Sequence, residues 1–498
     1  MPQRGRMGAK MRQMNLRNIE IACGGKLFLP KNAGNSMACS QPEITSAQLD
    51  SRLIEEGALF FAAAGEKVDG HKFIVTAFQK GAYCVITEKR PEEVAAEHGL
   101  PAEAWGPYIL VENTLEALKA IAEFYRSTLK IPVVGITGSV GKTSTKEFIA
   151  TVLSENYRVL KTEGNYNNEI GLPLTILRIR EEHQAAVLEM GISDFGEMHR
   201  LSKIARPDIC VITNIGQSHL ETLGSRDGIL KAKSEIFDFM SRQGEVCLNG
   251  DDDKLITISQ VYGKRPHFFG LGSGGQKEIY ATDVISSGLF GSDAVLHCRM
   301  VRPDGELAVP IHIPLPGGHM VNNAMAAACV GRLLGLTMKQ IAAGIVKTKS
   351  LSGRSRLISL PDYTLIDDCY NANPVSMKAA LDLLCMADTM KAAILGDMFE
   401  LGGDSDEMHR EVGAYAAMAG IDILLCIGDN CAHMYREAQE KAHSGMKVSY
   451  FKTKEEFLGR LLENRSGLLP EGCTILIKAS HGMGFEEIVT LLSQGITA

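Results

Sequence analysis

Short, wholly apolar runs alternate with longer amphipathic ones along most of the chain. Between about residues 131 and 250 the runs VVGITG, AAVLEMG, DICVITNIG and EVCLNGDDD each end in glycine or polar residues. Such runs predict strands of a parallel sheet buried on both faces. The segments between them, beginning with KTSTKEFIATVLSEN, predict helices. The same alternation comes earlier, with ALFFAAAG, AYCVITE and YILVEN as strands and HKFIVTAFQKGA and TLEALKAIAEFYRSTL as helices. It returns later in YTLIDD, KAAILGD, DILLCIG and CTILIKAS. LKIP and the polar KTKSLSGRSR read as links. The pattern predicts three α/β domains, over residues 16–130, 131–348 and 349–498, the last a smaller, dinucleotide-fold-like sheet. Residues 1–15 are expected to be a disordered basic tail, with Met7, Met11 and Met14 as alternative starts.

Length agrees with that division, since 498 residues exceed what one core holds. Net charge is −7 and the pI near 6.0, which gives no electrostatic case for nucleic acid or an anionic membrane. No apolar stretch is long enough to span a bilayer, and the basic start lacks the apolar core of a signal peptide. The 12 cysteines form no CxxC, and many sit in apolar runs. They are expected to be reduced, buried and cytoplasmic.

The chemistry concentrates in GITGSVGKTSTKE, Gly135 to Glu147. It nearly fits a phosphate-binding loop, but the first glycine of that pattern would fall at Ile136. Thr137, Gly138, Ser139, Val140 and Gly141 lie between a strand and a helix N-terminus, where backbone N–H groups and the helix dipole favour phosphate. Lys142 can reach β- and γ-phosphate oxygens, and Thr143 can place its hydroxyl on Mg²⁺. Glu189 and His219 follow neighbouring strands and suit Mg²⁺; a helix cap and a loop histidine are the plainer alternatives. By spacing, Lys231 and Lys233 read as solvated helix lysines. Asp251 to Asp253 read equally as a turn or a cation site. LIDDCYNANP offers Asp368, Asn371 and Asn373 as polar ligands, or an Asx-rich turn into a helix. His319 and Asn323 lie one turn apart on an alanine-rich helix.

The motifs GSVGKTSTKE, GNYNNEIGLPL, TNIGQSHLETLGS, AKSEIF, GGHMVNNAMAA, DDCYNANPVSM and LGDMFELG resemble the Mur ligase family. LDSRLIEEGALFFAAAGEKVDGHKF resembles a uridine-binding N-terminal domain of that family. The likeness runs from about residue 50 to 486. It implies a central phosphate-loop ATPase domain flanked by a UDP-substrate domain and a Rossmann-like C-terminal domain. It also implies ATP- and Mg²⁺-dependent joining of D-alanyl-D-alanine to UDP-N-acetylmuramoyl-tripeptide through an acyl phosphate. That step belongs to peptidoglycan precursor synthesis, and so to cell shape and division.

By the same resemblance, Gly138 to Lys142 hold the triphosphate, Thr143 and Glu189 one Mg²⁺, and His219 a second. Lys233 matches a lysine carbamylated in the family. Asn323 would contact adenine, Asp368 ribose, and Arg354 the γ-phosphate. Ser51, Arg52, Asp69, Gly70 and His71 fall in the uridine-side motif. Asn167, Asn168, Asn371, Asn373, Lys478 and Ser480 are the remaining substrate-side candidates. Three positions depart from the family pattern: Met320 stands for Asn, Ala479 for Gly and His481 for Arg, which removes a guanidinium fork. A monomer is expected. Rival readings are a related ligase adding one amino acid, including a folylpolyglutamate type, and a nucleotide-binding switch that has lost ligation.

Overall fold

The computed structural model describes residues 10–30, 42–65, 68–216, 220–300, 307–350, 352–399 and 401–494. Its strands form three sheets. The first contains β1 (Lys26–Phe28), β2 (Ala47–Gln48), β3 (Ala58–Phe61), β4 (Ala82–Thr87) and β5 (Tyr108–Leu110), in the order β1-β5-β4-β3-β2. The second holds β6 (Val133–Thr137), β7 (Val159–Lys161), β8 (Ala185–Glu189), β9 (Ile209–Ile212), β10 (Glu245–Asn249), β11 (His267–Leu271), β12 (Lys277–Ser286), β13 (Ser292–Cys298) and β14 (Ala308–Ile313). Its order is β14-β13-β12-β11-β10-β9-β6-β8-β7. The third holds β15 (Arg356–Ser359), β16 (Thr364–Asp367), β17 (Lys391–Gly396), β18 (Ile423–Ile427), β19 (Lys447–Phe451) and β20 (Thr474–Lys478), ordered β15-β16-β20-β17-β18-β19.

The expected parallel pairing holds in the interiors, as between β8, β6, β9 and β10 and between β16, β20, β17 and β18. Two edges differ. β1 joins β5 antiparallel and β15 joins β16 antiparallel; β15 and β16 are consecutive, so a short hairpin link suffices where parallel neighbours would need a crossover. β6 is flanked by β8 on one side and β9 on the other. The chain thus leaves β6 in both directions, and the loop after it opens at a topological switch point, where open α/β sheets bind ligands.

By contacts the chain divides into two compact units. One comprises residues 1–282, 295–309 and 322–345, the other 283–294, 310–321 and 346–498. The first sheet and the second sheet's strands β6 to β11 therefore share a unit. The helix Thr114–Thr128 explains why: Tyr125 donates to Ile179 O (2.6 Å), and Arg126 donates to Ala205 O (2.8 Å) and pairs with Asp208 (3.0 Å). The expected tail is shorter than its basic composition suggests. Met11 and Met14 are fully buried, and Ile44 N–H donates to Met14 O (2.9 Å) while Met11 N–H donates to Ile44 O (2.9 Å). Two methionines three residues apart supply apolar anchors that a charge-based reading overlooks. The described cysteines are free thiols, mostly buried. Among the described residues no helix is long and apolar enough to cross a membrane.

Candidate nucleotide and metal site

β6 is buried throughout and ends at Thr137. Gly135 lies inside it. A Cβ there would meet Met190 Sδ at 3.0 Å and Pro207 Cβ at 3.2 Å, so this glycine serves sheet packing and not the loop. Gly138 has φ +151°, and a Cβ there would fall 1.9 Å from Thr213 Oγ1. Gly141, at φ +80°, caps the helix Lys142–Leu153. The loop is braced by the residues after β9. Thr213 Oγ1 and Asn214 Nδ2 both donate to Val140 O (2.7 and 3.0 Å), and Gly216 N–H donates to Ser139 Oγ (2.8 Å).

Two loop donors differ from expectation. Ser139 N–H donates to Asn214 O (3.1 Å) and Val140 N–H to Asn214 Oδ1 (3.0 Å). They hold the loop's shape, so these two N–H groups, expected to face phosphate, are engaged within the protein. Lys142 folds along the loop, its Nζ donating to Gly138 O (2.9 Å) and Ser139 O (3.4 Å).

Thr143 and Glu189 come together as expected, with Thr143 Oγ1 donating to Glu189 Oε1 (3.2 Å). Asn167 Nδ2 donates to the same oxygen (2.9 Å). The other oxygen, Glu189 Oε2, is buried and accepts no hydrogen bond among the described residues. An unpaired buried carboxylate oxygen beside a hydroxyl and an amide is a hard-oxygen donor set, and it fits Mg²⁺. Lys146 approaches Oε2 to 3.7 Å. His219 lies outside the described residues.

Lys233 is 1% exposed, whereas Lys231 is exposed with its ammonium 6.0 Å from the Phe195 ring. The solvated reading therefore holds only for Lys231. Burial, then the nearby Lys142 charge, push Lys233 down to about 7, and its Nζ makes no hydrogen bond or ion pair among the described residues. Asn323 sits at the loop, not away from it: its Oδ1 accepts from Thr145 Oγ1 (3.0 Å) and lies 3.2 Å from where a Gly141 Cβ would be. The Asp251–Asp253 run is a turn with its carboxylates engaged. Asp251 pairs with Lys277, Asp252 accepts from Ile215 N–H (2.8 Å), and Asp253 pairs with Arg226 (2.5 Å).

In the second unit, Asp368 and Lys478, expected on different ligands, bind each other. Lys478 Nζ lies 2.6 Å from Asp368 Oδ2 and also donates to Asn371 O (2.8 Å). Ser355 N–H donates to Asp368 Oδ1 (2.8 Å). Neighbouring Asp367 fixes the link before β15 through Gly353 N–H (2.8 Å), and the Arg354 guanidinium lies over Tyr370, 4.2 Å from the ring centre. Asn371 Oδ1 accepts from Ala372 N–H (2.9 Å). Asn373 caps the helix Pro374–Cys385 by accepting from Ser376 N–H (2.8 Å), and Asn168 accepts from Gly171 N–H (2.9 Å). These side chains satisfy local backbone, the turn alternative for DDCYNANP. Ser480 Oγ accepts from Phe399 N–H (2.8 Å), and His481 turns to Glu486 (3.0 Å).

At the N-terminal sheet, Asp69 receives His71 N–H (3.0 Å), the His71 ring (2.6 Å) and the His98 ring (3.2 Å). Burial opposes ionisation of Asp69, but these hydrogen bonds prevail and draw it down to about 2. Gly70 approaches Ala63 so closely that a Cβ would lie 2.5 Å from Ala63 O. Ser51 is buried with Lys80 Nζ on its carbonyl (3.0 Å), and Arg52 is exposed and paired with Asp50 (2.7 Å).

Comparison with known proteins places this geometry. The description "Mur ligase family, catalytic domain" matches residues 43–126, "Mur ligase middle domain" residues 136–331, and "Mur ligase, glutamate ligase domain" residues 353–481. The chain belongs to the Mur ligase family. It is 37% identical over 452 residues to the UDP-N-acetylmuramoyl-tripeptide–D-alanyl-D-alanine ligase of Bacillus subtilis, covering 90% of this chain and 93% of that one. The Escherichia coli ligase of the same name is 34% identical, at 90% and 93% coverage. A crystal structure of MurF from Acinetobacter baumannii superposes with a TM-score of 0.83 at 30% identity, covering 96% and 98%. MurF from Thermotoga maritima in complex with ADP gives 0.71 at 28% identity, covering 90% and 97%.

Proposed function

We propose that the chain is an ATP-dependent ligase joining D-alanyl-D-alanine to UDP-N-acetylmuramoyl-tripeptide in peptidoglycan precursor synthesis. The observation that carries this is near-full-length likeness to ligases of that name, combined with a phosphate loop whose first helical turn adjoins Glu189. The ADP complex of the Thermotoga maritima relative supports ATP as the phosphoryl donor. The reaction uses ATP and a nucleotide-linked precursor, which assigns it to the cytoplasm; the protein acts as a monomer.

The chemistry follows from charge. A carboxylate is a poor acyl donor because oxide leaves badly. The tripeptide carboxylate attacks the γ-phosphorus, the γ-phosphate–oxygen bond to ADP breaks, and an acyl phosphate results. The dipeptide amine attacks the acyl carbon, gives up a proton, and phosphate leaves. Two anions meet in the first step, so fixed positive charge must face the oxygens where charge builds. Lys142 releases Gly138 O to bind the phosphates, and the helix start supplies N–H donors. Glu189 Oε2 and Thr143 would hold Mg²⁺, which neutralises phosphoryl charge when bound. Lys233 serves as the family's carbamylated lysine. Its burial, lack of a partner and lowered pKa of about 7 give a neutral amine able to attack CO₂, turning a cation into an anion that suits a metal. Asp69, His71 and Ser51 serve the uridine side, and Arg354 the γ-phosphate.

Mass spectrometry tests the assignment. The protein is incubated with ATP, Mg²⁺, the UDP-linked tripeptide and a panel of amines. A mass gain of one D-alanyl-D-alanine less water, absent with single amino acids, is expected. Product with a single amino acid in its place overturns the reading.

A further inference from the structure

Lys146 lies one helical turn beyond Thr143, on the same face of the helix Lys142–Leu153. It is 1% exposed. Its ammonium stands between two carboxylates, 3.3 Å from Glu147 Oε1 and 3.7 Å from Glu189 Oε2. Glu147 is itself buried and shared, since Lys161 on β7 pairs with its other oxygen. Lys146, Lys161, Glu147 and Glu189 thus form a neutral set between this helix and the strands β7 and β8, with Lys161 partly exposed. Buried lysines need such partners, yet the contact to Glu189 is longer than a hydrogen bond. Lys146 balances the Glu189 charge without covering the oxygen that accepts nothing.

We propose that Lys146 is a positioning residue for Glu189, an internal counter-cation with which an arriving divalent metal must share that carboxylate. The inference rests on the proposal that Glu189 receives the metal. A dication at Oε2 adds two positive charges beside Lys146 and repels it toward Glu147. Lys146 therefore weakens metal binding, and Glu147 relieves that penalty by drawing Lys146 away. A site tuned in this way exchanges its metal with the nucleotide instead of retaining it.

The two neighbours then have opposite effects. Mn²⁺ is the probe, titrated into the full-length, ADP-saturated protein and followed by loss of the free-ion paramagnetic resonance signal. Lys146→Met, which keeps the length of the stem, should tighten Mn²⁺ binding at least about tenfold, as expected for a unit charge a few ångströms away at an effective dielectric near 20. Lys146→Arg should restore wild-type affinity. Glu147→Gln should weaken binding about tenfold. Should Lys146→Met fail to fold, Lys146→Gln replaces it, and its effect is compared with that of Glu147→Gln. Effects of the same sign, or unchanged affinity in folded variants, overturn the proposal, because a merely structural pair would loosen the site in both. Glu189→Gln separates the premise. If it binds Mn²⁺ like the wild type, the metal reading fails. If it loses Mn²⁺ while the two neighbours do not diverge, only the role of Lys146 fails.

Discussion

Two carboxylates stand at the carboxyl ends of strands, each beside a buried lysine, and they are treated differently. Asp368, just past β16, is closed: Lys478 contacts it at 2.6 Å and Ser355 N–H at 2.8 Å. Glu189, at the end of β8, is held on one oxygen by Thr143 and Asn167, while among the described residues its other oxygen accepts no hydrogen bond and sees Lys146 at 3.7 Å. A closed pair orders the chain around it. An open oxygen in a buried site retains coordinating capacity, and that capacity is what a phosphoryl-transfer site requires. Under the proposed function, the contrast separates a carboxylate built for architecture from one built for a ligand.

The sharpest way to break the contrast is at Glu189. Glu189→Gln should lower kcat by roughly 10²–10³ with the fold intact, measured as amine-dependent phosphate release and circular dichroism. Turnover near wild type would make Glu189 no different from Asp368. At the closed pair the loss should appear in stability. Lys478→Met leaves Asp368 nearly buried without its cation and should cost about 3 kcal/mol in urea unfolding. A stability change under about 1 kcal/mol, smaller than typical for a broken buried pair, would mean the pair is loose.

Lys233 extends the comparison to a lysine with no carboxylate at all. Its pKa falls from 10.5 to about 7 on folding, so between those values the unfolded chain binds more protons and wild-type stability rises with pH. Lys233→Met removes the cost of burying the charge. In CO₂-free buffer it should stabilise by about 2 kcal/mol at or below pH 7, allowing for relaxation around the charge. The gain should shrink toward pH 10.5, and a constant gain across that range would contradict the lowered pKa. The smallest effect belongs to Asp69, whose folded pKa is depressed to about 2. Asp69→Asn should destabilise modestly above pH 4, with the difference vanishing as pH falls through about 2; acid titration of the two proteins compares them.

Much of this arrangement is legible in the sequence, for specific reasons. VVGITG followed by GKTST is an apolar strand running into a glycine turn and a helix, and the structure has that form. The pairing of Thr143 with Glu189 is implied by the family resemblance, and the adjacency of β6 and β8 is its structural reason. The resemblance places Asp368 and Lys478 on separate ligands; 110 residues divide them, and only the pairing of β16 with β20 brings them together. Asn168 and Asn373 look like ligands in sequence, but capping and binding use the same side-chain atoms. Lys146 and Glu147 do not stand out in the sequence, nor do Thr213 and Asn214 as braces of the loop. The first two do carry a signal: beyond Lys142 at its start, KTSTKEFIATVL holds only Lys146 and Glu147 as charges in a helix otherwise apolar or hydroxylated, the mark of a helix buried nearly all round. The bracing residues had none, since it depends on where the β9 loop turns.

The central claim is that the tripeptide carboxylate becomes an acyl phosphate before the amide forms. Tripeptide substrate labelled with ¹⁸O in its terminal carboxylate, incubated with ATP, Mg²⁺ and D-alanyl-D-alanine, tests it directly by mass spectrometry of the released phosphate. One labelled oxygen per amide formed, carried into inorganic phosphate, is the predicted result. Unlabelled phosphate, with the label in AMP or lost to water, would contradict it.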